Sequence, residues 1–145
     1  MTIYLAADHA GFELKEKIKK SLIELDYKVE DFGAKVFDTN DDYPDFIHKA
    51  AEAVSKDPQS SRAVIFGGSG QGEAMVANRY KNVRAAVYYG GSLDIVKLSR
   101  EHNDANVLSL GARFLKEEEA LKAVQLWLRT DFSGEERHKR RLAKF

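Results

Sequence analysis

Two short stretches of the chain combine residues able to move protons or hold an anion. Asp8-His9 places a carboxyl beside an imidazole directly after an apolar run, Thr2–Ala7. Gly67-Gly68-Ser69-Gly70-Gln71-Gly72 puts four glycines in six positions after another apolar run, Arg62–Phe66, and Glu73 comes next. Such a turn lets consecutive backbone N–H groups converge on one anion, and a following helix adds its positive end. A tight strand–helix connection would use the same glycines. Glu73 reads either as a partner of the helix dipole or as a base held beside the cradle. Asp8 reads either as the cap of the next helix or as a proton-transfer group. The turn lacks the Lys-Ser/Thr ending of a nucleotide P-loop, and its spacing is not the dinucleotide fingerprint. Ser69 is out of register for a nucleophile elbow and has no local histidine, which argues against a serine hydrolase.

Further along, His102-Asn103 lies at the end of a helical stretch, where a histidine also suits the helix dipole. Arg137-His138-Lys139-Arg140-Arg141 is the main charge run. Arg137 and Arg141 are four apart, on one helical face, and would converge on one phosphate or remain solvated. His48, beside Lys49, reads as a solvated histidine. No spacing of histidines suits a metal, and Asp41-Asp42 lacks the rest of a calcium loop, so no metal is expected.

The elements that must position these groups alternate short apolar runs with helical periods, the pattern of a parallel α/β sheet. Strands are predicted at Thr2–Ala7, Tyr27–Phe32, Arg62–Phe66, Arg84–Tyr88 and Asn106–Leu110. The first helix carries Leu14, Ile18, Leu22 and Leu25 on one face. Asp45–Ser55 follows with Phe46, Ala50 and Val54, then Glu73–Arg79 and Leu93–Glu101. Lys116–Arg129 is amphipathic through Leu121, Val124 and Leu128. Ser133–Lys144 is the last helix, with Ser133 as its cap and Glu135 and Glu136 in its first turn. The expected fold is a three-layer α/β/α Rossmann-like domain with a five-stranded parallel sheet, one domain over 1–145. In open parallel sheets ligands bind beyond the carboxyl ends of the strands, where Asp8-His9 and the glycine turn both fall.

Composition narrows the classes. The 145 residues include no cysteine, which excludes disulfides, thiolate metal sites and cysteine nucleophiles. Lys+Arg and Asp+Glu are both 23, so bulk attraction to nucleic acid or to a membrane surface is not expected. No run approaches the roughly 20 apolar residues of a membrane span, and the first residues do not resemble an export signal, so the expected location is the cytoplasm.

Together, Ala7-Asp8-His9-Ala10-Gly11-Phe12, Asp42-Tyr43-Pro44, Gly67–Glu73 with Ala77-Asn78, and Ser99-Arg100-Glu101-His102-Asn103-Asp104-Ala105-Asn106 resemble the type B ribose-5-phosphate isomerases. Gly111-Ala112-Arg113 and Arg137–Arg141 continue the resemblance in order, so that it covers nearly the whole chain. It implies interconversion of ribose 5-phosphate and ribulose 5-phosphate without metal or organic cofactor, by a homodimer. Relatives within the family act on allose 6-phosphate or galactose 6-phosphate, so a hexose 6-phosphate isomerase is the alternative reading within the family. Many members carry a cysteine base where this chain has Gly67, and the chain resembles the branch with a glutamate after the glycine loop. The resemblance implies Glu73 as the base, His102 as the ring-opening acid assisted by Asp8, and Ser69 hydrogen-bonded to the reacting oxygen. The backbone N–H groups of Gly68, Ser69, Gly70, Gln71 and Gly72 would hold the developing oxyanion. It also implies phosphate binding by His9, Arg113, Arg137 and Arg141, and a sugar hydroxyl on Asn103. His102 precedes strand five while Glu73 follows strand three, at opposite edges of a parallel sheet, and the resemblance implies a two-fold dimer that brings His102 of one subunit to the Glu73 loop of the other. A non-catalytic sugar-phosphate sensor is the competing reading from another class, and it leaves Glu73, Asp8 and His102 without a role.

Overall fold

Residues 1–145 are all described by the computed structural model. The elements run β1 (Thr2–Ala7), α1 (Phe12–Glu24), β2 (Lys28–Asp31), α2 (Pro44–Lys56), β3 (Ser61–Gly67), α3 (Gln71–Ala77), β4 (Ala85–Tyr88), α4 (Asp94–Glu101), β5 (Val107–Gly111), α5 (Glu117–Arg129) and α6 (Glu136–Leu142). All five strands are parallel, in the order β2-β1-β3-β5-β4. The α/β class and the five-stranded parallel sheet are as the sequence predicts. β4 and β5 stand in the sheet in the reverse of their chain order. β5, in the inner position, is buried throughout, whereas β4, at the edge, is only partly covered.

Side chains alternate across the sheet, and each face has its own core. Val64 and Phe66 of β3 join Ile3 and Leu5 beneath α1 and α5, in a cluster that includes the fully buried Trp127. Ala63 and Ile65 face the other way, onto Ile47, Ala50 and Val54 of α2. Several predicted details shift. α1 stops at Glu24 and leaves Leu25 exposed, so its buried stripe is Leu14, Ile18 and Leu22. In α2 the buried stripe begins at Ile47, and Phe46 is only partly covered. Ser133 does not cap α6. The helix begins at Glu136, and Ser133 Oγ accepts the Glu135 N–H at 3.4 Å in the turn before it. His48 is exposed, but its Nδ1 lies 2.9 Å from the Tyr80 hydroxyl.

Two polar arrangements in the scaffold determine where functional residues stand. Lys15 is wholly buried in α1 and is neutralised by Asp31 at 2.7 Å and Glu16 at 2.6 Å. Asp31 also accepts the Gly33 N–H at 2.9 Å, so the buried charge is paired and hydrogen-bonded. Backbone bonding to β1 continues past β2, from the Ala7 N–H to Gly33 O (2.7 Å), and this directs residues 34–42 over the end of β1. On the same face of the sheet, beyond α5, Arg100 Nη1 donates to Ala105 O at 2.6 Å and to Asp104 Oδ1 at 2.8 Å, and Nε donates to Thr130 O at 3.1 Å. Arg100 thereby fixes the turn carrying His102 and Asn103. No helix is long and apolar enough to cross a membrane.

Candidate active site

β1 and β3 are neighbours, while β2 and β5 lie on their outer sides, so the chain order reverses between them. Such a switch point opens a crevice at the carboxyl ends of the strands. A cavity of about 540 Å³ lies there, lined by Asp8, His9, Ala10, Tyr43, Gly68, Ser69, Gly72, Glu73, Arg113 and Phe114. Asp8 and His9 follow β1, the glycine turn and Glu73 follow β3, and Arg113 follows β5. Another cavity, of about 700 Å³, lies beside the start of β4 and holds none of these groups, but Asn103 is part of its wall.

Asp8 does part of what a capping residue does. Its Oδ1 accepts the N–H groups of Ala10 (3.0 Å) and Gly11 (3.3 Å), which fixes a buried carboxyl at the cavity edge. His9 is clamped by Asp41, whose Oδ1 accepts the His9 backbone N–H at 3.0 Å and lies 2.7 Å from Nδ1. The hydrogen bond to Asp41 raises the His9 pKa, with Asp8 adding to it and burial and Arg113 opposing. A cationic ring with Nδ1 engaged has Nε2 left to donate to an anion.

Glu73 stands in the first turn of α3 and is only 4% exposed. Burial pushes its pKa up, Asp8 adds to this, and its own backbone N–H opposes. No cation pairs with it. A carboxyl held this way is a stronger base than a solvated one, the condition general-base catalysis requires. Gly67 makes the room for it, since a Cβ there would overlap the Glu73 carboxyl group. Gly67→Ala is therefore expected to displace the carboxyl and cut kcat by up to about 10²-fold, the cost of an ångström-scale misplacement. The readout is kcat together with Tm. Unchanged kcat would mean that Glu73 need not occupy this place.

The remaining turn residues divide. Gly68, Ser69 and Gly72 face the cavity, whereas Gly70 and Gln71 do not line it. Gly70 adopts φ +78° as the residue before α3, where a side chain would be strained, and its carbonyl accepts Ser109 Oγ at 2.6 Å. The Gln71 N–H donates to Ser69 Oγ at 3.3 Å.

Sequence reasoning left out two residues here, Asp41, which holds the cavity residue His9, and Tyr43, which lines the cavity itself. Asp41 reaches His9 only because the 34–42 loop folds back over β1, and no local spacing signals that. Tyr43 lines the cavity with its hydroxyl over the glycine turn, 2.6 Å from where a Gly72 Cβ would fall. The Asp42-Tyr43-Pro44 motif was the available signal. Asp8, His9 and Asp41 bring potential metal-ligating atoms within 4.8 Å of one another, a grouping hidden in the linear spacing. The hydrogen bonds of Asp41 to His9 account for that proximity. Activity is accordingly expected to be the same in EDTA as without it, and loss restored by a divalent ion would assign this triad to a metal.

His102, Asn103, Arg137 and Arg141 do not line this cavity. His102 caps the C-terminus of α4, before β5, at the opposite edge of the sheet. α6 sits against the same end, because the Ser133 N–H donates to Glu101 O at 3.0 Å and His138 stacks on His102. Arg137 is exposed and paired with Glu135 at 2.7 Å, and Arg141 is exposed. The candidate residues thus form two groups at opposite edges, separated by β5, whose five residues span roughly 16 Å.

The sequence model of the Ribose/Galactose Isomerase family matches residues 3–145. Ribose-5-phosphate isomerase B of Mycobacterium tuberculosis is 39% identical over 142 residues, covering 98% of this chain and 86% of its own length. A crystal structure of ribose-5-phosphate isomerase B from Mycoplasma genitalium with bound ribulose-5-phosphate superposes with a TM-score of 0.94 at 39% identity, covering 99% of this chain and 92% of that one. The type B enzyme of Trypanosoma brucei gives 0.90 at 30% identity, covering 99% and 95%. The matches run through both edge groups and the sheet between them, and the chain belongs to the ribose/galactose isomerase family.

Proposed function

We propose that this protein is an aldose–ketose isomerase interconverting D-ribose 5-phosphate and D-ribulose 5-phosphate, and that residues 1–145 act as one catalytic domain. The observation that carries this is Glu73, a buried carboxyl without a cationic partner beside a glycine turn in the switch-point cavity. The relative crystallised with ribulose-5-phosphate supports the choice of a pentose phosphate.

The chemistry assigns the roles. Ribose 5-phosphate is mainly a closed hemiacetal. Opening it requires a proton on the ring oxygen, from His102, and removal of the proton on O1, assisted by Asp8. Glu73 then takes the C2 proton, leaving a cis-enediolate whose oxygens face the N–H groups of the glycine turn and Ser69. Preorganised backbone dipoles suit that charge. Transfer of the O2 proton to O1 and return of the carbon-bound proton to C1 complete the ketose. His9, Arg113, Arg137 and Arg141 hold the phosphate, and Asn103 a hydroxyl.

One chain does not bring these groups together, so the working unit is a homodimer in which His102, Asn103, Arg137 and Arg141 of one subunit face the Glu73 cavity of the other. Exposed Met75 on α3 and Ile95 and Leu98 on α4 supply apolar surface for the contact. A phosphorylated sugar does not cross membranes unaided, which favours a cytoplasmic location.

Arg137→Ala and Arg141→Ala are each expected to weaken sugar-phosphate binding by about 1.5–3 kcal/mol, the range for hydrogen bonds to charged groups. Affinity for inorganic phosphate should fall in parallel. Unchanged affinity in both variants would return α6 to a solvated helix. The function itself is tested by comparing turnover on ribose 5-phosphate, allose 6-phosphate and galactose 6-phosphate, with ribose 5-phosphate expected to be fastest. Preference for a hexose phosphate would move the protein to that activity, and turnover of none would leave only a binding role.

A further inference from the structure

His138 lies within the basic run but behaves unlike its neighbours. It is the only buried residue of α6, 2% exposed. Its ring stacks on that of His102, with centroids 4.2 Å apart and planes 16° from parallel. Its Nε2 is sealed without a hydrogen-bond partner. Burial pushes its pKa down, and His102, Arg137 and Arg141 add to this against Glu135, which favours the neutral ring. A residue so enclosed cannot reach a sugar and can act only through the imidazole it covers. A nearly parallel neighbour at this distance blocks rotation of His102 about χ2, since turning would drive the ring edge into the His138 face.

We propose that His138 is a positioning residue for ring opening, its stacked ring fixing the plane of the His102 imidazole so that the acid is held toward the sugar's ring oxygen. This rests on the reading of His102 as the ring-opening acid. The enediolate step belongs to Glu73 at the other edge of the sheet and makes no use of His138. Ribulose 5-phosphate isolates that step. Its C5 oxygen carries the phosphate, so it forms no furanose, and exchange of its C1 proton with solvent requires no ring chemistry.

Three variants test the proposal: His138→Leu, which keeps an apolar anchor under α6 but no flat ring, His138→Phe, which keeps the stack, and His102→Gln as the reference. With ribose 5-phosphate, His138→Leu should lower kcat about tenfold at nearly unchanged KM, within the cost of misplacing a reacting group. His138→Phe should stay within about twofold of wild type, the rescue that a stacking role requires. Deuterium uptake at C1 of ribulose 5-phosphate should match wild type in both. Three results would overturn the proposal: wild-type kcat in His138→Leu, a rise in KM alone, or a joint fall of isomerisation and C1 exchange that His138→Phe does not rescue. Wild-type kcat in His102→Gln would instead remove the underlying reading, whatever the His138 variants do.

Discussion

Glu73→Gln is expected to lower kcat for isomerisation by about 10²- to 10⁴-fold, the contribution of a positioned general base. The substitution keeps the shape that fills the space left by Gly67 and removes only the basicity. Binding of ribose 5-phosphate should therefore persist, and hydrogen–deuterium exchange at C2 of the sugar should stop with turnover. The same carboxyl predicts the acidic limb of the wild-type profile. Burial and Asp8 raise the Glu73 pKa, and only the carboxylate accepts a proton, so kcat/KM should fall with decreasing pH above the ordinary glutamate range. The sign for stability is opposite. A carboxyl whose folded-state pKa is raised stabilises the fold below its unfolded pKa, and that contribution is lost as pH rises through the folded value. At neutral pH Glu73→Gln should then hold or raise Tm while nearly abolishing turnover. Wild-type turnover would mean that the proton is taken by another group, and lost binding would mean that Glu73 holds substrate.

Much of the scaffold was legible because periodicity reports burial. The runs at Thr2–Ala7 and Arg62–Phe66 are central strands covered on both faces, and such strands read as continuous apolar sequence. The groups of the switch-point cavity were legible for a related reason. Asp8, His9, the glycine turn and Glu73 directly follow strands, so their place along the chain gives their place in the sheet. Asp41 and Tyr43 were not, because they arrive from an irregular loop whose path depends on Lys15, Asp31 and Gly33. His138 was hidden by its charged neighbours. A lone buried residue in a two-turn helix leaves no periodic signal, and the basic run suggests a solvated face throughout. The reversed places of β4 and β5 escaped local reading too, since strand order depends on the whole sheet and not on one run.

The separation of Glu73 from His102 within one chain makes the composite site the decisive issue, and refolding a mixture of two inactive variants tests it most directly. Glu73→Ala lacks the base, and His102→Ala lacks the ring-opening acid. Unfolded together in equal amounts and refolded, the chains pair at random, and half of the dimers contain one of each. In a mixed dimer one site loses both groups, while the other joins the intact Glu73 of one subunit to the intact His102 of its partner. Recovered activity should approach about a quarter of that of refolded wild type, as two-fold symmetry with two shared sites requires. Each variant refolded alone should stay inactive. If both residues served one site inside a single chain, no pairing could rebuild it, and an inactive mixture shown to contain mixed dimers would contradict the shared site.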